Sequence, residues 1–427
     1  MVINGKDMNK ASISKNDKRF LISPLFAVII STVVFFIAWC FPKDTYASLI
    51  SEKNYINFDQ LSLLFYIVNI LFFLFGYSIL KDRVRERAVI YNSVLSVSLY
   101  LVFPILVSIV LSVISITLLI KQNPFILQYL IAGDGFNIKR ELDLKNTIAQ
   151  AAQFSISIVL WALFVFNNLK DQMSASGRIT IKLLIYILFL VCFLNAVFKM
   201  ARFEIIPLIL GYMVIFINHK YKSKSNYQLL KYLFAFFIVV VTLFAIFSIL
   251  RGGSSAEAIL GSVLGYTITS YNHMAALLNG ALHYFDPGIG YYIATFLSYI
   301  PLAGDGFTTN VLDWASPEYV RLQEFNDSSQ GGLNDKFIWL TTFGYVWVSL
   351  KYLTPLFMFF YGFFAKIAWV SFKNNLIWGV FLYPWIFFSI IFWLGSNIVI
   401  QQPLISVIGA FVFIKMYDFV FKWCPVK

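Results

Sequence analysis

The sequence predicts an all-α fold: a polytopic integral membrane bundle of about ten transmembrane helices, with one large loop that contains short helices. Three observations carry this. The chain of 427 residues is 59% hydrophobic and only 13% charged. Uncharged runs of membrane-spanning length recur, among them Phe20–Phe41, Leu61–Leu80 and Tyr232–Leu250. Basic residues gather in alternate connections. About twenty apolar residues cross a hydrocarbon core of about 30 Å, and only a helical bundle made of such runs satisfies its own backbone there. The chain reads as one membrane domain, residues 1–427, with residues 251–336 forming the large loop within it.

The spans fall at about 20–41, 61–80, 93–120, 147–168, 183–198, 205–218, 232–250, 344–365, 376–394 and 398–414. The first run is too long for a cleavable signal peptide, and no small-residue cleavage site follows it. Before it stand Lys6, Lys10, Lys15, Lys18 and Arg19. The second connection reads "KDRVRER" from Lys81. Lys170, Arg178 and Lys182 come next, then Lys220, Lys222, Lys224 and Lys231. Lys366 and Lys373 follow, and the tail adds Lys415, Lys422 and Lys427. Ten crossings put all of these on one side, which the positive-inside rule makes the cytoplasm, with both termini there. The net charge of +12 is therefore a topology signal, and no nucleic-acid partner is expected.

The opposite side differs. Residues 251–336 hold Arg251, Arg321 and Lys336 against eight acidic residues. Turn-forming stretches such as "YFDPGIG" and "FNDSSQGGLND" concentrate here. The apolar stretches "AILGSVLGYTITSYNHMAALLNGAL" and "YYIATFLSYIPL" are expected to be helices on or dipping into the membrane.

"KMARFEIIPLIL", Lys199–Leu210, places Lys199, Arg202 and Glu204 between two uncharged segments. Those segments are too short to cross fully, so their turn is expected below the membrane surface, in a water-filled recess. Ionisable groups at such depth point to function. Mutual neutralisation or snorkelling is the plainer alternative. Arg202 and Glu204 are two apart and would not face each other on a helix. Arg251 follows an uncharged run at the outer surface, where it could serve as an ordinary anchor; Arg321 could be a solvated loop charge. Three arginines on one recess would suit a phosphate-rich anion, because the guanidinium fork pairs bidentately with phosphate oxygens.

Glu204, His273 and Asp305 are the candidate general bases, unranked. A structural His and a plain turn Asp are the alternatives for the latter two. Tyr266 and Tyr271, with Tyr284, Tyr291 and Tyr292, could stack on sugar rings or belong to an interfacial aromatic belt. Cys40, Cys192 and Cys424 have neither disulfide nor metal spacing and read as small apolar residues. There is no Walker motif, GxSxG, HExxH or Cys/His cluster, so neither metal nor cofactor is expected. No inner connection is large enough for a nucleotide-sugar domain, so substrate would arrive already activated in the membrane.

Most of the chain resembles the bacterial O-antigen polymerases, the Wzy-type oligosaccharide repeat-unit polymerases. The likeness rests on the many spans, the large loop and the placed arginines. Arg321 to Gly332 is similar to the family's Arg-x10-Gly loop motif. Arg251 followed by "GYTITSYN" resembles its Arg-then-Tyr pattern, and Arg202 looks like the arginine that begins the preceding span. One feature departs: Arg202 precedes Gly211 by nine positions, so a second Arg-x10-Gly is missing. The resemblance implies a glycosyltransferase in the bacterial inner membrane with a large periplasmic loop. Its substrates would be undecaprenyl-diphosphate-linked oligosaccharides, joined into a long surface polysaccharide, O-antigen or capsule. Arg202, Arg251 and Arg321 would hold the diphosphate. Membrane lipid and a chain-length regulator protein would be partners. An O-antigen ligase and a lipid-linked oligosaccharide flippase or transporter are the alternatives.

Overall fold

A computed structural model describes residues 18–81, 96–135, 138, 147–250, 256–396 and 401–423. Every element among the described residues is helical. We number them α1 (Pro24–Trp39), α2 (Lys43–Ile50), α3 (Gln60–Ile79), α4 (Val97–Gln122), α5 (Ile126–Ala132), α6 (Thr147–Leu169), α7 (Ala175–Phe198), α8 (Arg202–Lys220) and α9 (Asn226–Ile249). Then come α10 (Ala256–Leu278), α11 (Tyr291–Ala294), α12 (Gly304–Asn310), α13 (Pro317–Gln330), α14 (Thr341–Leu350), α15 (Thr354–Lys373), α16 (Ile377–Ile391) and α17 (Gln402–Trp423).

Local chemistry sets several starts. Ser23, Asp59, Ser96, Ser174 and Ser316 each accept a backbone N–H of the first turn, and Ser225 with Gln228 forms a capping box. Pro104, Pro207 and Pro384 lie inside α4, α8 and α16, a placement common in membrane helices, where neighbouring helices re-satisfy the freed carbonyls.

Among the described residues eight helices are long and apolar enough to cross a membrane, and nine if α1 and α2, bent by 97°, form one span. The expectation of about ten also included 205–218. That segment lies within α8, a 19-residue helix outside the eight, which carries Glu204 and Lys220. It is central nonetheless, packing against α6, α7, α9 and α16. The expected span 344–365 is part of a longer unit, Thr341–Lys373, in which α14 leads through a 3-10 turn into α15. The start of the expected span 398–414 lies outside the described residues.

Helices α3 and α15 cross with their backbones in close approach. A Cβ added to Gly76 would meet the Phe359 carbonyl oxygen at 1.9 Å, and one added to Gly362 would meet the Phe73 carbonyl oxygen at 2.0 Å. Two glycines here let the backbones touch, the usual device where lipid gives no hydrophobic drive for helices to associate.

The helix ends sort into two sets. At one end Arg19 lies over the Tyr221 ring at 4.4 Å, and the Tyr383 hydroxyl donates to the Ile22 carbonyl. The other end carries the α1–α3 connection, the α7–α8 turn and residues 256–340. There Ala276, Leu282, Tyr291, Tyr292, Trp314, Val320, Leu333 and Tyr345 build a second apolar core, separate from that of the bundle. Both apolar stretches of the large loop are helical, as α10 and as α11 with the 3-10 turn Thr295–Tyr299. Cys40 is exposed and Cys192 buried, both as free thiols; Cys424 lies outside the described residues.

Candidate functional site

The turn between α7 and α8 resolves part of the charge puzzle. Met200 adopts a left-handed conformation (φ 50°), and this breaks the helix. Lys199 then folds back so that its Nζ lies 3.2 Å from both oxygens of Glu204. Lys199 is buried at 4% exposure, so the pair neutralises itself inside the protein. Arg202 begins α8; its side chain lies outside the described residues. Glu204 borders a cleft of about 30 Å³ among α6, α8, α16 and α17, whose lining includes Gln153, Pro207, Trp385 and Pro403. That is room for one or two waters, narrower than the expected recess. Gln153 Oε1 and the Trp385 indole N–H are buried beside it without a hydrogen-bond partner among the described residues.

The same turn meets the end of α9. The Gly135 N–H donates to the Leu250 carbonyl at 2.9 Å, and a Cβ on Gly135 would lie 2.4 Å from Met200 Cε. Met200, Ile205, Ile209, Ile138 and Phe247 share one buried cluster there. The chain therefore brings Leu250, the residue before Arg251, and Met200, two before Arg202, to one corner. Arg251 itself lies outside the described residues.

Arg321 is exposed on α13, and three positions on, Glu324 shares its helix face. Glu324 is half-buried, and its carboxylate accepts from the Tyr292 hydroxyl at 3.2 Å. The Tyr292 and Tyr345 rings are 4.9 Å apart, and the Tyr284 ring lies 6.1 Å from that of Tyr345. Tyr284 and Tyr345 both donate to the Ile338 carbonyl. Asp327, one turn along α13, accepts the Phe285 N–H at 2.7 Å. Burial pushes the Glu324 carboxyl up to about 8, against the opposing pull of the Tyr292 hydroxyl and the Arg321 guanidinium.

His273 and Tyr271 sit elsewhere. Both are fully buried on α10. His273 Nε2 lies 3.0 Å from Glu52 Oε2; a carboxylate only accepts, so the shared proton sits on Nε2. Glu52 also receives the Tyr46 hydroxyl, Asn272 Nδ2 at 2.8 Å and the Asn334 N–H at 2.7 Å. Asn272 Oδ1 in turn accepts the N–H groups of Tyr55 and Ile56, and Asn334 Nδ2 donates to the Ile50 carbonyl. This clasp ties the α2–α3 connection to α10 and to the Gly332–Asn334 turn. Burial pushes the Glu52 carboxyl up, but His273, Tyr46 and the Asn334 N–H together hold it below its usual value.

A general base must reach a substrate hydroxyl, and a stacking ring must present a face. In this arrangement His273 and Tyr271 do neither: Tyr271 is enclosed by Phe35 and Tyr66, edge-on at 5.4 and 6.3 Å. Tyr266 is half-buried against Phe337 and Trp339. Asp305 stands in the first turn of α12, where the sequence suggested a plain turn; the Phe307 N–H to Ala303 and the Thr308 hydroxyl to Gly304 close that helical turn. The Asp305 side chain lies outside the described residues. Among the described residues no His, Cys, Asp or Glu group could hold a metal ion.

Sequence reasoning missed Glu324 and Glu52. For Glu324 a signal existed: it stands three residues after Arg321 in a stretch that opens with the helix-starting "SPE". For Glu52 none did, since apart from Tyr46 its partners lie more than 200 positions away. Comparison with protein-family models, curated proteins and solved structures gives no match.

Proposed function

We propose that this chain is a membrane glycosyltransferase that polymerises undecaprenyl-diphosphate-linked oligosaccharide repeat units into a long surface polysaccharide. The growing chain passes from its lipid diphosphate to a sugar hydroxyl on the next lipid-linked unit. The hydroxyl oxygen attacks the anomeric carbon, its proton goes to a protein base, and the sugar–diphosphate bond breaks. The leaving group is already a good anion, so the protein's main task is to meet the charge that develops on it. Arg202, Arg251 and Arg321 fill that role in this reading. Both termini lie in the cytoplasm, ten spans cross the bacterial inner membrane, and residues 251–336 are periplasmic.

The observation that carries the reading is the Gly135 corner. It brings the backbone entries to Arg202 and Arg251, 49 positions apart, to one place at the end of the bundle that also holds the acidic loop. Guanidinium groups pair bidentately with phosphate oxygens, so arginines that follow this corner in the chain suit a lipid diphosphate whose tail stays in the membrane. The test is the glycan pattern of a deletion strain. Loss of a polymerase leaves lipopolysaccharide core with a single repeat unit. Bare core with polymer stranded on its carrier would instead identify a ligase, and bare core without polymer a flippase.

A further inference from the structure

We infer that Glu324 is the catalytic base that takes the proton of the acceptor sugar hydroxyl, with Tyr292 as its positioning partner. The inference rests on the polymerase reading and adds a residue that the sequence motifs do not mark.

The argument begins with placement. Arg321 and Glu324 are one turn apart on α13, so an anion on the exposed guanidinium brings the bond that breaks toward the carboxylate. The second apolar core fixes α13 through Val320, and the Asp327 bond to the Phe285 N–H anchors its far end. Tyr292 comes from α11 and donates to Oε1, and the Tyr345 hydroxyl also favours the ionised carboxylate; the lone pairs these two hydroxyls do not use are acceptor sites for a substrate proton. The charged and titratable groups around the carboxylate are Arg321 and Asp327 on its own helix, Tyr291 and Tyr292 on α11, Tyr284 in the connection before it, and Tyr345 on α14. Of the three carboxylate or imidazole candidates expected from sequence, His273 is sealed into the clasp and Glu204 is paired with Lys199. A carboxylate raised toward neutral pH by its apolar wall is matched to general-base work, because its basicity grows with its pKa while enough of it stays ionised. In the step, the hydroxyl proton moves to Glu324, the oxygen bonds to the anomeric carbon, and the bonding pair leaves with the diphosphate at Arg321.

The test is a pH–rate profile of the purified full chain in proteoliposomes, with undecaprenyl-diphosphate-linked repeat units as probe. The parent rate should rise with pH through about 8 and then level off. Glu324→Gln should lose about 10²–10⁴-fold, the usual contribution of a positioned base. Tyr292→Phe keeps the ring and removes the donor that favours the ionised carboxylate, so its limb should move to higher pH; a purely structural role would leave the limb in place. The Tyr292 variant carries the test if Glu324→Gln fails to fold. A Glu324→Gln rate within about threefold of the parent, far inside the usual contribution of a base, overturns the inference and leaves the polymerase reading standing. So does a Tyr292→Phe profile that superimposes on the parent's. A folded parent that makes no polymer under any condition refutes the reading, and the inference falls with it.

Discussion

Glu52→Ala should loosen the large loop from the bundle. The carboxylate is fully buried, and four donors from three separate segments converge on it: the Tyr46 hydroxyl, Asn272 Nδ2, His273 Nε2 and the Asn334 N–H. Each buried donor left without a partner costs about 1–3 kcal/mol. The four costs do not simply add, because the cavity admits water and the loop relaxes. The cost of breaking a buried pair, about 3–5 kcal/mol, sets the scale, or about 10²–10⁴ in the ratio of closed to open loop. Glu52→Gln keeps one acceptor and the volume, and should cost roughly 1–3 kcal/mol. The folded carboxyl is held below its usual value, so its contribution is complete above that value and fades as pH falls through the folded one. The difference between the parent and Glu52→Gln should therefore shrink below about pH 4. The assay is denaturant unfolding in detergent, paired with trypsin cleavage at Arg321 and Lys336. The alanine variant should be cleaved there long before the spans lose structure. A Glu52→Ala variant within about 0.5 kcal/mol of the parent, with unchanged cleavage, would refute the clasp.

Gly362→Leu should lower thermal stability by at least the roughly 1–3 kcal/mol of an overpacked core, since its Cβ would lie 2.0 Å from the Phe73 carbonyl oxygen; calorimetry or a thiol-dye melt reads the shift. Reporter fusions at Ser225 and Ser328 should read cytoplasmic and periplasmic respectively; the same side for both would end the ten-span topology. Arg321→Ala should abolish long polymer at normal protein abundance, about 10²–10³ in rate, and Arg321→Lys should restore little of it, because the bidentate fork is lost. Exposed Lys351→Ala should leave the polysaccharide ladder and the immunoblot unchanged.

The spans were legible because a membrane core demands long apolar runs, and those runs became α3, α4 and α16 with small shifts at their ends. The ends of α7, α9 and α17 were less legible: α7 and α9 begin eight and six residues before the expected 183 and 232, and α17 runs nine past 414, so the segment expected to be too short to cross is part of a 24-residue helix. The Lys199–Glu204 pair was not. Helical spacing offers partners three or four positions away, whereas the left-handed Met200 breaks the helix and lets residues five apart meet. Tyr271 and His273 stand on α10, a helix apolar on most of its surface, so periodicity could not tell which face turns inward. Glu52 stayed hidden because a lone acid in a short connection looks solvated until Asn272, His273 and Asn334 are folded onto it. Glu324 was legible as the helical neighbour of Arg321, but its tyrosine partners were not until α11 and α14 were folded onto its helix.

Reconstitution tests the central claim most directly. The purified chain in proteoliposomes, given only undecaprenyl-diphosphate-linked repeat units, should turn them into a ladder of longer lipid-linked chains and release one undecaprenyl diphosphate per bond formed. A folded protein that leaves the units unjoined, or that only moves them across the bilayer, would contradict the account.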